Sequence, residues 1–399
     1  YFSPNEKHRF NVFASAQHIN RDSYYGGGQD PNAYGNTTDL NWMAGSQYVY
    51  SFGKCIFMPA DLTAGIEFNQ DKLEDNMWGY HRTVDQKVNI GSAFFQNEWK
   101  NEHWGFLIGG RLDKHNLIDH VIFSPRANLR YNPTENINLR FSYSSGFRAP
   151  QAFDEDLHVE NVGGNVAMVE LADNLKEERS QSLSASADIY HRFGAFQVNF
   201  LVEGFYTKLS DVFALTDGEV VDGILTRTRY NAPGARVMGL TLEGKMAYLT
   251  KFQVQAGVTL QQSHYSEPHV WNKEAPAVKK MMRTPNTYGY FTATYTPIKP
   301  LSIALSGTYT GSMLVPHEPV PGFLEKPITV NTKDFFDIGL KAAYDFKLYK
   351  SMNLQVNAGV QNIFNAYQND FDKGADRDSG YIYGPSLPRS FFAGVKISY

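Results

Sequence analysis

Met-Asn-Leu-Gln-Val-Asn-Ala-Gly-Val-Gln-Asn, residues 352–362, alternates strictly between two kinds of side chain. Met352, Leu354, Val356, Ala358 and Val360 occupy one set of alternate positions, and Asn353, Gln355, Asn357, Gly359 and Gln361 the other. A period of two belongs to an extended strand, whose successive side chains point to opposite faces. This strand has one apolar face and one polar, uncharged face. The pattern fits a soluble sheet with its apolar face inward. It fits equally a membrane wall with apolar residues toward lipid and polar ones toward a wet lumen. One strand does not decide between them, but the number of repeats and the lengths of the connections do.

Similar segments are predicted as strands at 10–18, 40–50, 62–70, 88–99, 104–113, 123–131, 137–144, 179–190, 196–206, 236–247, 252–264, 283–295, 301–312, 334–344 and 391–399. With 352–362 these make about 16 strands in which short turns and long loops alternate throughout, as in an antiparallel meander whose every second connection lies on the same rim. The long connections include the Gly-rich 20–36, the charged 71–87, the very long 145–178 and the Pro-rich 315–327. A soluble sandwich mixes long and short connections at both ends through its Greek-key crossings. An open sheet of this many strands would also leave its edges bare. Closure is therefore expected, with one face of each strand in lipid and the other against water or a polar plug.

Composition agrees. The chain has 399 residues and a formal net charge of -4, with a mean hydropathy of -0.40. No stretch approaches the ~20 consecutive apolar residues of a spanning helix, whereas a barrel strand needs only ~10 alternating residues. The 24 Tyr and 28 Phe are the informative excess, many of them near strand ends, where an interfacial aromatic girdle would lie. Cys55, the single cysteine, excludes an internal disulfide and is read as lying in a turn. Near-balanced charge leaves no basic patch for a phosphate backbone, which excludes nucleic acid as a partner. Because the chain starts at Tyr1 and is already in mid-pattern by residues 7–18, a fragment of a longer protein is expected. No G-x-S-x-G, H-E-x-x-H, P-loop or C-x-x-C motif is found. Asp154, Glu155, Asp156 and His158 cluster in a long polar loop and read as a solvated surface rather than a catalytic centre, so no enzyme is expected.

Tyr143-Ser-Ser-Gly-Phe-Arg-Ala-Pro150 is more specific. It resembles the barrel of a TonB-dependent outer-membrane receptor of a Gram-negative bacterium, and more narrowly the siderophore, haem and cobalamin receptor group as it occurs in Bacteroidetes. Phe147, Arg148, Ala149 and Pro150 match the family's FRAP box. Asp173-Asn-Leu-Lys-Glu-Glu-Arg-Ser180 resembles a second box through Leu175, Lys176, Glu178 and Ser180, although it lacks that box's prolines. Further matches are Asn231-Ala-Pro-Gly-Ala-Arg-Val-Met-Gly-Leu-Thr-Leu-Glu-Gly244, Val360-Gln-Asn-Ile-Phe-Asn365 and Gly384-Pro-Ser-Leu-Pro-Arg-Ser-Phe391. The resemblance implies a 22-stranded barrel occluded by an N-terminal plug that contacts TonB. The 16 strands would then be its carboxy-terminal part, the plug and first strands lying outside this chain. It also implies TonB-dependent import of a scarce bulky nutrient such as a metal chelate or corrinoid. Outer-membrane lipid and lipopolysaccharide would surround the wall, and a surface lipoprotein is a further candidate partner. A passive 16-stranded porin and a binding-only receptor docking a surface lipoprotein are the alternatives.

Candidate ligand contacts fall in the long loops. Tyr24, Tyr25, Tyr34, Trp78, Trp271, Tyr381 and Tyr383 are of the type that stacks on a planar ligand at low entropic cost, or that anchors loops to one another. His158 lies between the two boxes, where haem receptors of the family carry a His, and imidazole is an axial ligand for haem iron. Haem is not assigned on that residue alone. Asp370, Asp372, Asp376 and Asp378 surround Gly374 with hard oxygens suited to calcium in an extracellular loop, without the twelve-position EF-hand pattern. No other cofactor is implied.

Overall fold

The computed structural model describes residues 2–5, 7–24, 31–151, 166–216, 218–221, 224–349, 351–374, 377–378, 380–385 and 387–399. The alternation read from the sequence runs through β1 (His8–Tyr24), β2 (Tyr34–Cys55), β3 (Met58–Met77), β4 (Arg82–Lys100), β5 (Trp104–His115), β6 (Ile122–Thr134), β7 (Ile137–Arg148) and β8 (Glu178–Phe193). It continues through β9 (Phe196–Ser210), β10 (Ala235–Tyr248), β11 (Phe252–His269), β12 (Thr287–Ile298), β13 (Leu301–Thr310), β14 (Phe335–Tyr349), β15 (Met352–Gln361) and β16 (Ser390–Ser398). Each pairs antiparallel with the strand before it. The sheet has 18 members, two of which, Phe2–Asn5 beside β1 and Val278–Lys280 beside β11, are short strips on a neighbour's edge. Among the described residues no pairing joins β16 back to β1.

Register sorts the side chains by face. Phe95, Ile108, Phe123 and Phe141, on four successive strands, are exposed on the outer face. Val356 is 41%, Val395 68% and Ile397 62% exposed, positions that a soluble sandwich would bury. The opposite face is polar and cross-linked. Arg111 Nη2 meets Glu67 Oε1 at 2.9 Å and Nε meets Asp113 Oδ1 at 2.8 Å, while Ser92 Oγ donates to Asp113 Oδ1 at 2.6 Å. Farther round, Thr241 and Thr259 hydroxyls meet at 3.0 Å, and Gln255 Nε2 donates to Tyr290 OH at 2.6 Å. Each is a cross-strand pair or near neighbour of the kind that fixes register. The apolar face toward lipid and the polar face toward the lumen make this the wall of a transmembrane β-barrel.

An aromatic band marks the short-turn rim. Tyr50 meets Phe52 edge-on at 4.6 Å, Phe57 stacks on Trp99 at 5.6 Å, and Trp104 stacks on Tyr131 at 4.2 Å. Phe196 with Tyr248 and Tyr344 with Phe346, each pair at 4.6 Å, continue it. Rings with an apolar body and a polar tip suit the membrane–water boundary. Cys55 belongs to this rim. It ends β2 rather than sitting in the turn, and its carbonyl accepts Trp99 Nε1 at 3.0 Å. The turn itself is Ile56-Phe57, with Ile56 in the left-handed region at φ 64.

Rings also fill notches left by glycine. Phe13 lies over Gly45, directly opposite it, with Cζ 2.5 Å from where a Cβ would stand, and Phe94 lies over Gly65 in the same way. The pattern recurs at Tyr290 over Gly257 and Phe205 over Gly239. An aromatic laid across a strand glycine supplies the packing that the missing side chain cannot.

Two features depart from the sequence expectation. Residues 71–87 are not a loop: β3 and β4 continue through them to a single 3-10 turn at Trp78–Tyr80. Lys72, Glu74 and Asn76 alternate there with Asp71, Leu73 and Asp75, so neither face is apolar and no period is visible. β1 to β4 run 17, 22, 20 and 19 residues, where about 9–11 cross the hydrocarbon. Their far halves form a flange standing clear of it. β12 begins at Thr287 rather than at Arg283, which has φ 55 and belongs to the preceding loop.

Placing a charge on the two faces of β15 tests the assignment. Val356→Arg should destabilise the folded protein by about 2–4 kcal/mol if the position is near the bilayer midplane, and Asn357→Arg by about 1 kcal/mol or less. Urea titration of protein folded into lipid vesicles measures both, and equal costs at the two sites would contradict the facing described here.

Candidate functional site

The largest concentration of buried side chains outside the wall lies on the long-loop rim, in two assemblies. The first grows from the ends of β7 and β8. Phe147 packs on Ile118, Ile122 and Ala149, and Pro150 is buried beside them. The Arg148 guanidinium lies 5.5 Å from the Phe213 ring centroid and Arg229 lies 6.0 Å from it, so that one ring faces two cations. Glu178 Oε2 accepts the Phe213 backbone N–H at 2.9 Å. Asn231 joins three segments: its Oδ1 accepts Lys176 N at 2.7 Å, and its Nδ2 donates to Lys176 O at 3.0 Å and Asp211 O at 2.8 Å. Leu175 is half-buried within a turn in which its N–H bonds Ala172 O at 3.0 Å. Ser180 stands opposite Gly146 in the ladder.

Above these contacts the loops form a small sheet of their own. Ile224–Ala232 pairs antiparallel with Val212–Leu215 and Glu219–Val221, and parallel with Val166–Leu171. The motif residues therefore act as the hinge stones of this rim: they tie the β7–β8 connection to the β9–β10 connection. Glu177, almost buried, takes Arg179 at 2.7 Å and stands 3.0 Å from His120 Nε2. Burial alone would raise its carboxyl, but the Arg179 and His120 contacts outweigh that and hold it below the ordinary value.

The second assembly joins the β13–β14 and β15–β16 connections. Leu314–His317 pairs with Ile328–Asn331, and Met313 and Val315 pack on Tyr381, with Val330 and Tyr383 against them. His317 stacks on Tyr381 at 3.8 Å and 6°, and its Nε2 lies 2.9 Å from Asp372 Oδ2. Asp370 accepts from Tyr381 OH at 3.2 Å and from Tyr383 OH at 2.5 Å. Asp378 accepts Glu318 N at 2.9 Å and Gly380 N at 2.7 Å. Gln368 donates to Tyr381 O at 2.9 Å and accepts Tyr383 N at 2.8 Å, and Arg283 reaches across from the β11–β12 loop to Ile382 O at 3.0 Å and Gly380 O. Burial and the Asp370 carboxylate push the Tyr381 hydroxyl up to about 12 and raise Tyr383 further. Asn272 Nδ2 and Arg227 approach Glu318 at 3.0 and 3.7 Å, linking the two assemblies.

The sequence-predicted residues divide accordingly. Tyr381 is only 3% exposed, so it anchors loops and does not present a free ring. Asp370, Asp372 and Asp378 spend their oxygens on internal donors, and among the described residues no group of three or more His, Cys, Asp or Glu side chains is gathered for a metal ion. Tyr24 and Tyr34 lean together at 4.7 Å across the β1–β2 hairpin, and exposed Trp78 caps β3 and β4 beside the neighbouring Pro31–Ala33 turn. Trp271 is half-buried in the β11–β12 loop. Tyr25, His158 and Asp376 lie outside the described residues. His317, Gln368, Arg283, Phe213 and Asn231 were not singled out by sequence reasoning. Only Asn231 carried a signal, its place in the quoted Asn231-Ala-Pro-Gly box.

A family model described as TonB dependent receptor-like, beta-barrel matches residues 1–363. None of the curated proteins compared with the chain matches it. Among solved structures, a mutant of the ferric enterobactin receptor PfeA from Pseudomonas aeruginosa is similar with a TM-score of 0.71 at 17% identity, over 98% of this chain and 59% of that one. The siderophore receptor PirA from Acinetobacter baumannii gives 0.67 at 16%, over 97% and 59%. The ferric-catecholate import receptor Fiu from K12 E. coli gives 0.68 at 15%, over 98% and 62%. The chain thus spans about three fifths of the length of the receptors it matches.

Loosening the second assembly should expose its loops to protease. Tyr381→Phe removes one hydrogen bond to a carboxylate, worth about 1.5–3 kcal/mol, and should speed nicking within 314–331 and 362–389 while the wall stays intact. The raised hydroxyl means that this contact is complete below pH 10.0 and lost as pH rises through about 12. Tyrosinate absorbance should therefore show a late rise that Tyr381→Phe lowers by one tyrosine's share. Glu177 works the other way: its contribution is complete above its ordinary value of 4.5 and lost as pH falls below that.

Proposed function

The chain belongs to the TonB-dependent receptor-like β-barrel family, and from that premise we propose that it forms the wall and outer rim of a receptor importing a scarce, bulky chelate with energy delivered through TonB. The cargo classes we propose are siderophore, haem and corrinoid. The observation that carries the reading is the rim, in which the long connections of one side are knitted into two ordered assemblies above a polar lumen. A capture surface needs such preorganisation, since ordering loops at the moment of binding subtracts from affinity. The similar receptors for ferric enterobactin and ferric catecholates support a metal chelate as cargo.

The finer parts of the reading are proposals of the same kind. A plug supplied by sequence outside this chain would fill the lumen and make the TonB contact. A Bacteroidetes-type lineage, a surface lipoprotein on the rim and lipopolysaccharide against the flange complete it, with Tyr24, Tyr34 and Trp78 as the exposed rings available to either partner or ligand. Calcium among Asp370, Asp372 and Asp378 would have to displace the His317 and tyrosine contacts described above. A porin of 16 strands closes on itself, and among the described residues β16 has no partner on its outer edge and β1 only the short strip Phe2–Asn5, which favours a wall of more strands.

Growth on single nutrients tests the proposal. A strain lacking the gene should fail to take up one member of a panel of ferric siderophores, haem and cobalamin, and loss of TonB should reproduce that failure. Uptake that persists without TonB would favour passive diffusion, and normal uptake of the whole panel in the deletion strain would remove the chelate assignment.

A further inference from the structure

Outward-facing residues of β8 to β11 change character abruptly near the long-loop rim. Leu183, Tyr206, Met238 and Gln262 stand opposite one another on successive strands, and the row below them is Ala185, Gly204, Leu240 and Leu260. With Phe141 on β7, opposite Ala185, these rows bound a groove of about 890 Å³ on the lipid side. Its floor is low because Ala185 and Gly204 carry little or no side chain, and a Cβ at Gly204 would meet nothing within 4 Å. Gly45 and Gly239 are covered by rings, whereas this notch is left open.

The row above the groove is basic. Lys208 lies directly opposite Arg236, Arg236 opposite His264, and His264 opposite Lys280 in the short strip beside β11. Directly opposed residues share a face, so all four belong to the lipid side. Lys208 and Arg236 are exposed, and His264 and Lys280 are half-buried. Among the described residues none of the four has an ion pair or a side-chain hydrogen bond. Glu177, the buried carboxylate of this rim, belongs to Arg179 and His120, and Glu267 on β11 makes no ion pair with the row. Like charges set opposite one another repel, so a basic row without an internal acid carries a cost that an external anion removes. Height identifies where that anion lies. Phe196 in the short-turn aromatic band and Tyr206 enclose a span of eleven residues on β9, and about 9–11 cross the hydrocarbon. Lys208 and Arg236 therefore stand just past its far edge, among the headgroups of the long-loop, extracellular side.

From this arrangement we infer that the seam binds a lipid of the outer leaflet whose headgroup carries two phosphates, with the phosphates on Lys208, Arg236 and Lys280 beside His264 and one acyl chain in the groove over Ala185 and Gly204. The length of the row argues for two phosphates, since it covers three interstrand spacings, about 14 Å. Guanidinium and ammonium groups pair with phosphate oxygens through charge-assisted hydrogen bonds, and cations at a membrane surface gather anionic headgroups. The chain gains nothing hydrophobic by moving from lipid to the wall. It gains the closer contact that a notch of small residues permits. Charge and notch share the strands β9 to β11, so one molecule engages both. This inference deepens the lipid-partner part of the reading above and rests on the outer-membrane wall, not on the import of a chelate.

The test is native mass spectrometry of the purified full-length protein, delipidated in detergent and titrated with bisphosphorylated lipid A. Lys208→Gln combined with Arg236→Gln should weaken retention by about tenfold or more. Gly204→Leu, which fills the notch where the backbone leaves free space, should weaken it several-fold. Lys299→Gln, in a turn on the opposite rim, should change it by less than about twofold. Phosphatidylglycerol, with one phosphate, should be held about tenfold more weakly, and inorganic pyrophosphate at equal concentration should not compete. Equal losses in Lys299→Gln and the double variant would mean general electrostatic attraction, and displacement by pyrophosphate would mean a free-anion site. Unchanged retention in Gly204→Leu would remove the groove, and equal retention of phosphatidylglycerol would remove the two-phosphate headgroup. Each of these results overturns the inference. Lipid retained as expected by a protein that imports nothing from the nutrient panel would leave the seam standing and remove the import, whereas normal import with retention unchanged in the double variant would overturn the seam alone.

Discussion

Inside hydrocarbon a peptide group has no water to turn to, so an unpaired N–H or carbonyl costs several kcal/mol. That constraint explains the antiparallel ladder from β1 to β16, in which, among the described residues, each strand pairs with its sequence neighbours and no crossover occurs. It also explains where irregular backbone is found. Left-handed residues such as Ile56, Asp211, Leu249 and Arg283 stand in turns and loops, where water or loop partners satisfy the backbone. Once the ladder is imposed, the period of two follows, and with it a lipid face and a lumen face on every strand.

The two faces are stabilised by different means. On the lipid side, side chains gain little from meeting one another, since lipid tails are as apolar as they are. Specific packing there is confined largely to the aromatic band. On the lumen side, stability comes from cross-strand polar pairs and from rings seated over glycines. These devices set register without needing an apolar core. Among the described residues, two buried apolar clusters lie on the rim, one around Val315 and Tyr381 and one around Ile122 and Ala149.

The wall was legible because its physics is local. Residues 352–362 announce two environments within eleven positions, and the alternation of short and long connections orders the strands. All sixteen strands lie where the period placed them, with ends displaced by a few residues except in β1 to β4, which run on past their expected ends to Tyr24, Tyr34, Met77 and Arg82. The flange was illegible for the same reason: above the membrane both faces of β3 and β4 are polar, and the period loses its contrast. The rim was less legible still. His317 and Asp372 are 55 positions apart, and Asn231 and Lys176 are also 55 apart. No short-range pattern reports such pairings. Tyr381 and Asp370 were visible as residue types with binding chemistry, but only the fold reveals that they bind one another.

The parallel ladder between Val166–Leu171 and Ile224–Ala232 has a temporal meaning. Parallel partners cannot be brought together by a tight turn; here the whole of β8 and β9 intervenes, with both flanking connections. Closing that connection costs less once β8 and β9 have paired and shortened the span that remains. The mouth is thus expected to order after the staves beneath it are laid side by side, which makes the rim the last part of the vessel to take shape.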